Sequence, residues 1–238
     1  MFNKRRLWDS IQLNIATVHI SLSEEPGVLT KLKERIQQLM VGEARLAHTI
    51  GLTPNQVSLT GALAALLSAY LYWNSSINDA FLVSAALLLL ASGFLDALDG
   101  VLARVYGQVT QFGGFLDSLL DRYADALVLV GIIVGWLAAD SPLWLLAGLA
   151  AVIGSLLVSY SRARAEAADV RMEAVGLAER AERIIILVFA SLLSLLWRDA
   201  LRWSVVLLAV LTNLTVLQRA VHFRKASQKR EASATPVV

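Results

Sequence analysis

Six apolar runs divide the chain: Val57–Trp73, Ala80–Leu95, Ala126–Ala139, Pro142–Tyr160, Ile184–Trp197 and roughly Leu201–Leu217. Crossing a bilayer core of about 30 Å takes about 20 helical residues, so the shorter runs need their flanking polar turns to complete a span. The pattern predicts an all-α integral membrane protein with six transmembrane helices. Buried helices of a globular core are the alternative, and six such runs fit it poorly. Ahead of the runs, Leu32, Ile36, Leu39, Met40, Ala47 and Ile50 recur at helical spacing, with Lys31, Lys33, Glu34 and Arg35 between them. That predicts an amphipathic juxtamembrane helix on the cytoplasmic surface; a helix docked on a partner would carry the same pattern. Thr53-Pro54-Asn55 ends it and opens the first span. The expected organisation is a cytoplasmic segment at 1–51, a six-helix membrane domain at 52–226 and a flexible cytoplasmic tail at 227–238.

Composition agrees with this pattern. The chain is 57% hydrophobic and 17% charged, against roughly half and about a quarter in soluble domains. It has no cysteine, which excludes disulfide and thiolate chemistry. Met1–Gln56 carries seven Lys or Arg, Ser161–Arg183 five and Arg219–Val238 five, whereas Asn74–Asp79 and Asp140–Ser141 carry none and the Arg198–Arg202 turn two. The positive-inside bias puts both termini of a multi-pass cell-membrane protein in the cytoplasm. FNKRR at the start is basic, but no apolar stretch follows it, so no cleaved signal peptide is expected. No nucleic-acid partner is expected.

Candidate chemistry lies where the apolar pattern is interrupted. Asp96 and Asp99 are three residues apart on the second predicted span and share a face. Asp117, Asp121 and Asp125 follow at intervals of four on the third. A rise of about 1.5 Å per residue places Asp96 about 24 Å from the outer end near Ala80. The third run returns over only about 21 Å, so both acidic sets meet at one level beside a cytoplasmic opening. Carboxylates so close cannot all stay ionised without cations or protons. Oxygen ligands without His or Cys favour Mg²⁺ or Mn²⁺, and two such ions about 4 Å apart clamp a phosphoryl group during displacement. Gly100 and Gly113-Gly114 leave room for a bulky ligand, and Arg104 is placed to pair with a phosphate. Interfacial acids paired with Arg104 and Arg122 are a blander reading, and a cation transporter is a rival. The outer halves of the two helices carry no ionisable residue to continue an ion path.

Asp96-Ala-Leu-Asp99-Gly100-Val-Leu-Ala103-Arg104, eight residues, Gly113, three residues, Asp117, three residues and Asp121 resemble the signature of the CDP-alcohol phosphotransferases at all eight defined positions. With six spans, the resemblance covers roughly residues 52–224. It implies transfer of a substituted phosphate from a CDP-linked donor to an alcohol, release of CMP, a divalent-metal requirement that the two-metal reading meets, and a homodimer in the membrane. By the same resemblance Asp96, Asp99, Asp117 and Asp121 bind metal, and Asp121 is also the catalytic base. Asp96, Gly100, Ala103, Arg104 and Asp117 bind the CDP group.

The acceptor is read from arginines. SYSRARAE from Ser159 to Glu166, ERAER from Glu179 to Arg183, and Gln218-Arg219 put cations at the level of the aspartates. Converging guanidinium groups suit a phosphorylated acceptor, although a positive-inside bias could supply some of them. The three segments resemble the phosphatidylinositol-phosphate synthase branch of the family and its archaetidyl counterparts. That implies an inositol-phosphate site at Ser159, Arg162, Arg164, Arg183 and Arg219, with Arg162 standing where some relatives have lysine. The expected substrates are CDP-diacylglycerol or CDP-archaeol and L-myo-inositol 1-phosphate. A glycerol 3-phosphate acceptor, or CDP-inositol as donor, is the alternative within the family.

Overall fold

The computed structural model describes residues 40–137, 141–172 and 175–234, and those residues form helices and turns without a strand. Of the expected juxtamembrane helix, Leu32, Ile36 and Leu39 lie outside the described residues. Its end is present as α1, residues 40–49. Met40, Ala44 and Ala47 are buried there against Val57, Leu98, Val101 and Leu102, while Leu46 and Ile50 are exposed.

α2 spans Pro54–Asn74 and begins with a reciprocal cap: Thr53 accepts from the Gln56 amide, and the Gln56 side chain accepts from the Thr53 amide. Two of the orphan amides at the helix start are thereby satisfied, with Pro54 at the position where a missing N–H costs least. Asn78 caps α3 (Asp79–Val105) and Thr110 caps α4 (Gln111–Ile132), which runs into a π-helical turn at Ile133–Leu137. Ser141 caps α5 (Pro142–Glu166), and α6 (Arg180–Leu193) and α7 (Ala200–Ala234) complete the described residues. Asx and Ser/Thr side chains favour these starts because their oxygens accept from the first free amides.

Among the described residues, three helices are long and apolar enough to cross a membrane: α3, α5 and α7 as far as Arg230. The other three expected spans have local reasons to differ. Asp117, Asp121, Arg122 and Asp125 interrupt α4, α6 has only 14 residues, and α2 has polar ends. The fifth apolar run outlasts its helix, because the Ser194 hydroxyl donates to the Ala190 carbonyl and accepts from the Leu201 amide at 2.9 Å, turning the chain into α7. At the other end, α7 continues past the boundary expected at 226. Phe223 and Ala226 pack against Ala165, Val170 and Met172, and Arg230 donates to the Ala168 carbonyl at 2.9 Å.

The core joins α2, α3, α4, α6 and α7 through residues such as Tyr72, Leu82, Val128, Leu187 and Leu208. Leu63, Leu87, Phe94, Leu146, Phe189 and Leu207 point outward instead. Close helix crossings rest on glycine. A Cβ on Gly131 would strike the Ala69 carbonyl oxygen, and one on Gly135 would lie 2.5 Å from the Tyr72 carbonyl oxygen. Small residues let backbones approach where lipid supplies no hydrophobic drive between helices.

Candidate active site

The C-terminal half of α3 carries Asp96 and Asp99, and Asp117, Asp121 and Asp125 follow one another along α4. The turn at Tyr106–Thr110 reverses the chain between the helices, helped by Gly107 at φ +64° and by a bond from the Gln108 amide to the Ala103 carbonyl at 2.8 Å. The two acidic faces meet over the N-terminal half of α2. One carboxylate oxygen from each of Asp96, Asp99 and Asp117 lies within 4.8 Å of the others. Asp99 is the most enclosed, 6% exposed, and takes a 2.5 Å hydrogen bond from the Ser58 hydroxyl of α2. Asp96 is also within hydrogen-bonding reach of both Asp117 and Asp121.

Asp121 is held differently. Arg180, at the first turn of α6, reaches Asp96 at 2.5 Å, Asp121, and Asp125 at 3.3 Å. Arg183, one turn on, bonds Asp125 and donates to the Ala178 carbonyl at 3.1 Å. Ser58, Asp96, Asp99, Asp117, Asp121 and Arg180 together line a cleft among α2, α3, α4 and α6. Neither cation considered in the interfacial reading takes this place. Arg104 folds back with its guanidinium over Gly100, and Arg122 bonds the Ser118 carbonyl of its own helix.

The residues expected to bind CDP flank the cleft on one side. Gly100 and Ala103 are half-buried and Arg104 is exposed. Gly114 has open space where a Cβ would stand, whereas a Cβ on Gly113 would press on Thr110 and Asn55. On the other side lie the arginines. Arg219 is 2% exposed, and its guanidinium donates to the carbonyls of Val175, at 2.8 Å, and Val158. Arg162 and Arg183, with Glu166 and Glu179, lie within electrostatic range of it. Arg162 is exposed and pairs with Glu166 at 2.9 Å. Ser159 is half-buried, and Arg164 is exposed at the end of α5. The fold thus groups Arg162, Arg183 and Arg219, two of them buried on protein acceptors.

Neither Ser58 nor Arg180 is a site residue that the sequence predicts, although Arg180 falls within the cationic ERAER segment. Ser58 is an ordinary small residue in an apolar run and gives no signal. Arg180 does leave one: that segment lies at the level of the aspartates, although Glu179 and Glu182 beside it offer local partners as well.

Three carboxylates from two helices, with only oxygen donors, fit a hard divalent cation. Fold and site together define a class: a helical protein with membrane-length apolar helices and an acidic centre suited to metal-assisted phosphoryl chemistry. The chain belongs to the CDP-alcohol phosphatidyltransferase family, whose model matches residues 51–228. It is 40% identical over 198 residues to an archaetidylinositol phosphate synthase of Pyrococcus horikoshii, covering 83% of this chain and 97% of that protein. The crystal structure of Mycobacterium tuberculosis phosphatidylinositol phosphate synthase with CDP-DAG bound superposes with a TM-score of 0.69 at 31% identity, over 78% of this chain and 94% of that one. The same enzyme in complex with manganese and citrate gives 0.69 at 32% identity, over 77% and 88%.

Proposed function

We propose that this enzyme transfers the phosphatidyl or archaetidyl group of a CDP-linked lipid to L-myo-inositol 1-phosphate and releases CMP. The observation that carries the reading is the Asp96–Asp99–Asp117 cluster bonded to Arg180 as α6 opens, with Arg183 one turn on grouped with Arg162 of α5 and Arg219 of α7. A metal-binding centre beside guanidinium groups suits a pyrophosphate donor and a phosphorylated acceptor at once. The names of the relatives point the same way.

In this reading Asp96, Asp99 and Asp117 hold Mg²⁺ or Mn²⁺, with Asp121 as a further ligand. Bound there, divalent cations would neutralise the pyrophosphate and the charge that develops on the transferring phosphoryl group. Asp96, Gly100, Ala103, Arg104 and Asp117 hold the CDP group. Asp121 takes the proton of the acceptor hydroxyl as its oxygen bonds to the lipid-bearing phosphorus. The phosphoanhydride bond breaks, and CMP leaves with the electron pair. Ser159, Arg162, Arg164, Arg183 and Arg219 orient the inositol phosphate, through direct contact or by shaping the charged wall.

The proposed setting is a cell membrane crossed six times by α2–α7, with α1 on the cytoplasmic surface, both termini and the cleft on that side, and two copies forming a homodimer. The membrane domain spans 52–226. Outward-facing leucines and phenylalanines on every one of these helices support burial in lipid. A cleft at the inner boundary lets the donor keep its chains in the bilayer while the acceptor enters from the cytosol.

The test is a product assay on the purified enzyme in detergent. Radiolabelled CDP-diacylglycerol and CDP-archaeol are each offered inositol 1-phosphate, glycerol 3-phosphate, serine and free inositol, with Mg²⁺ or Mn²⁺. The expected result is CMP release and a phosphorylated inositol lipid with inositol 1-phosphate alone. Asp121→Asn should lower turnover by about 10²–10⁴, the usual worth of a positioned base. Preference for glycerol 3-phosphate or free inositol would overturn the acceptor, and absence of CMP release with every acceptor would overturn the enzyme reading.

A further inference from the structure

Asp125 lies outside the eight-residue signature and outside the carboxylate cluster, yet it is the anion that two arginines share. Its Oδ1 faces the Nε of Arg180 at 3.3 Å, and its Oδ2 accepts from Arg183. All three side chains are largely enclosed, 16%, 17% and 6% exposed for Asp125, Arg180 and Arg183. α6 opens with both cations in its first turns, and its N-cap residue Glu179 makes no side-chain cap hydrogen bond. Local electrostatics oppose that arrangement, because the helix dipole is positive at this end. Glu179 at the N-cap and Glu182 in the first turn offset part of this locally, but the carboxylates that bond the two arginines all stand on α3 and α4. The one common to both arginines is Asp125 of α4, one turn beyond Asp121.

We propose that Asp125 is a positioning residue: it holds Arg183 at the acceptor side of the cleft while anchoring Arg180 beside Asp121. This rests on the reading of the acceptor site above. The two arginines depend on Asp125 unequally. Arg180 keeps Asp96 and Asp121 when Asp125 is neutralised, whereas the bonds described for Arg183 reduce to the Ala178 carbonyl. Loss of the Asp125 charge therefore acts first on Arg183 and the acceptor, and only second on Arg180 and the base. Of the CDP-binding residues, Gly100, Ala103 and Arg104 lie on α3 away from this bond. Asp117 stands two turns before Asp125 on α4, and Asp96 keeps its own bond to Arg180, so the donor side changes least.

Steady-state kinetics of Asp125→Asn and Asp125→Glu, with donor and acceptor varied separately, test this. Asp125→Asn should raise the acceptor KM about tenfold or more, the effect of loosening one charge-assisted contact. The donor KM should stay within about twofold, and Asp125→Glu should recover most of the acceptor KM by restoring the charge. A purely structural role would instead raise both KM values together and lower the thermal midpoint. A wild-type acceptor KM in Asp125→Asn, parallel change in both KM values, or no recovery in Asp125→Glu overturns the proposal. Asp125→Asn leaves a buried guanidinium uncompensated. If it fails to fold, the neutral pair Asp125→Asn with Arg183→Gln decides. An acceptor KM equal to that of Arg183→Gln alone supports action through Arg183, and a further rise overturns it. The wild-type product assay tests the function. The ratio of variant to wild type, with whichever phosphorylated alcohol the enzyme turns over, tests Asp125.

Discussion

Asp99 is the least solvated of the cluster aspartates, and its single described protein donor is the Ser58 hydroxyl. A carboxylate in a metal site needs one oxygen directed at the ion, and a hydroxyl on the other oxygen sets that direction. Ser58 also lies 3.1 Å from the Pro54 carbonyl, so the hydroxyl has an alternative acceptor within its own helix. Ser58→Ala should weaken Mn²⁺ binding roughly tenfold, within the range of 10–100-fold usual for outer-shell partners. Titration of the purified protein with Mn²⁺, followed by the loss of its free-ion magnetic resonance signal, measures this without turnover. An unchanged affinity would mean that α3 alone orients Asp99. Ser58 could not have been found in the sequence, since a serine in an apolar helix is as often a lone back-bonded hydroxyl.

Between elements, the cleft depends on how closely α4 approaches α2. Gly131 meets the backbone of Ala69, and Gly135 meets Tyr72 and Trp73, so side chains there would push the helices apart. Backbone cannot swing aside as a flexible side chain can. Gly131→Ala should therefore destabilise the protein by about 1–3 kcal/mol, as overpacking does, and lower its thermal midpoint in detergent. Gly42 has open space where a Cβ would stand; Gly42→Ala on α1 should leave the midpoint unchanged or raise it through better helix propensity. Equal midpoints for the two variants would show that the α2–α4 crossing relaxes freely. Asp117 and Asp121 lie on the same helix, so a Gly131→Ala shift of α4 should also lower turnover in the product assay.

For the whole molecule, the absence of cysteine makes orientation directly measurable. Ser76 lies in the turn between α2 and α3, and Ser227 on the last turns of α7. With the cleft cytoplasmic, Ser76→Cys should react with a membrane-impermeant maleimide in intact cells. Ser227→Cys should react only after permeabilisation. The reverse result would invert the topology that the basic segments indicate. The basic-residue bias was legible because it is a property of composition alone. The number of crossings was less so, because charge in α4 and the shortness of α6 make those helices dependent on their neighbours.

The sequence by itself determined the helical class, the start of the first span and the acidic stripes. Each follows from spacing within one segment: the cap at Thr53, and aspartates at intervals of three and four. It also placed Asp96, Asp99 and Asp117 on facing helices, because a short turn between α3 and α4 leaves few other arrangements. Only the tertiary structure decided how the cations are used. Arg180 went to Asp96, Asp121 and Asp125, Arg183 to Asp125, and Arg219 inward to the carbonyls of Val158 and Val175. A guanidinium near an acidic level has many possible partners, and its choice depends on the packing of α4 to α7, whose partners are far apart in the chain. The same packing brought Ser58 onto Asp99, because nothing in the local pattern of α2 distinguishes that hydroxyl from its neighbours.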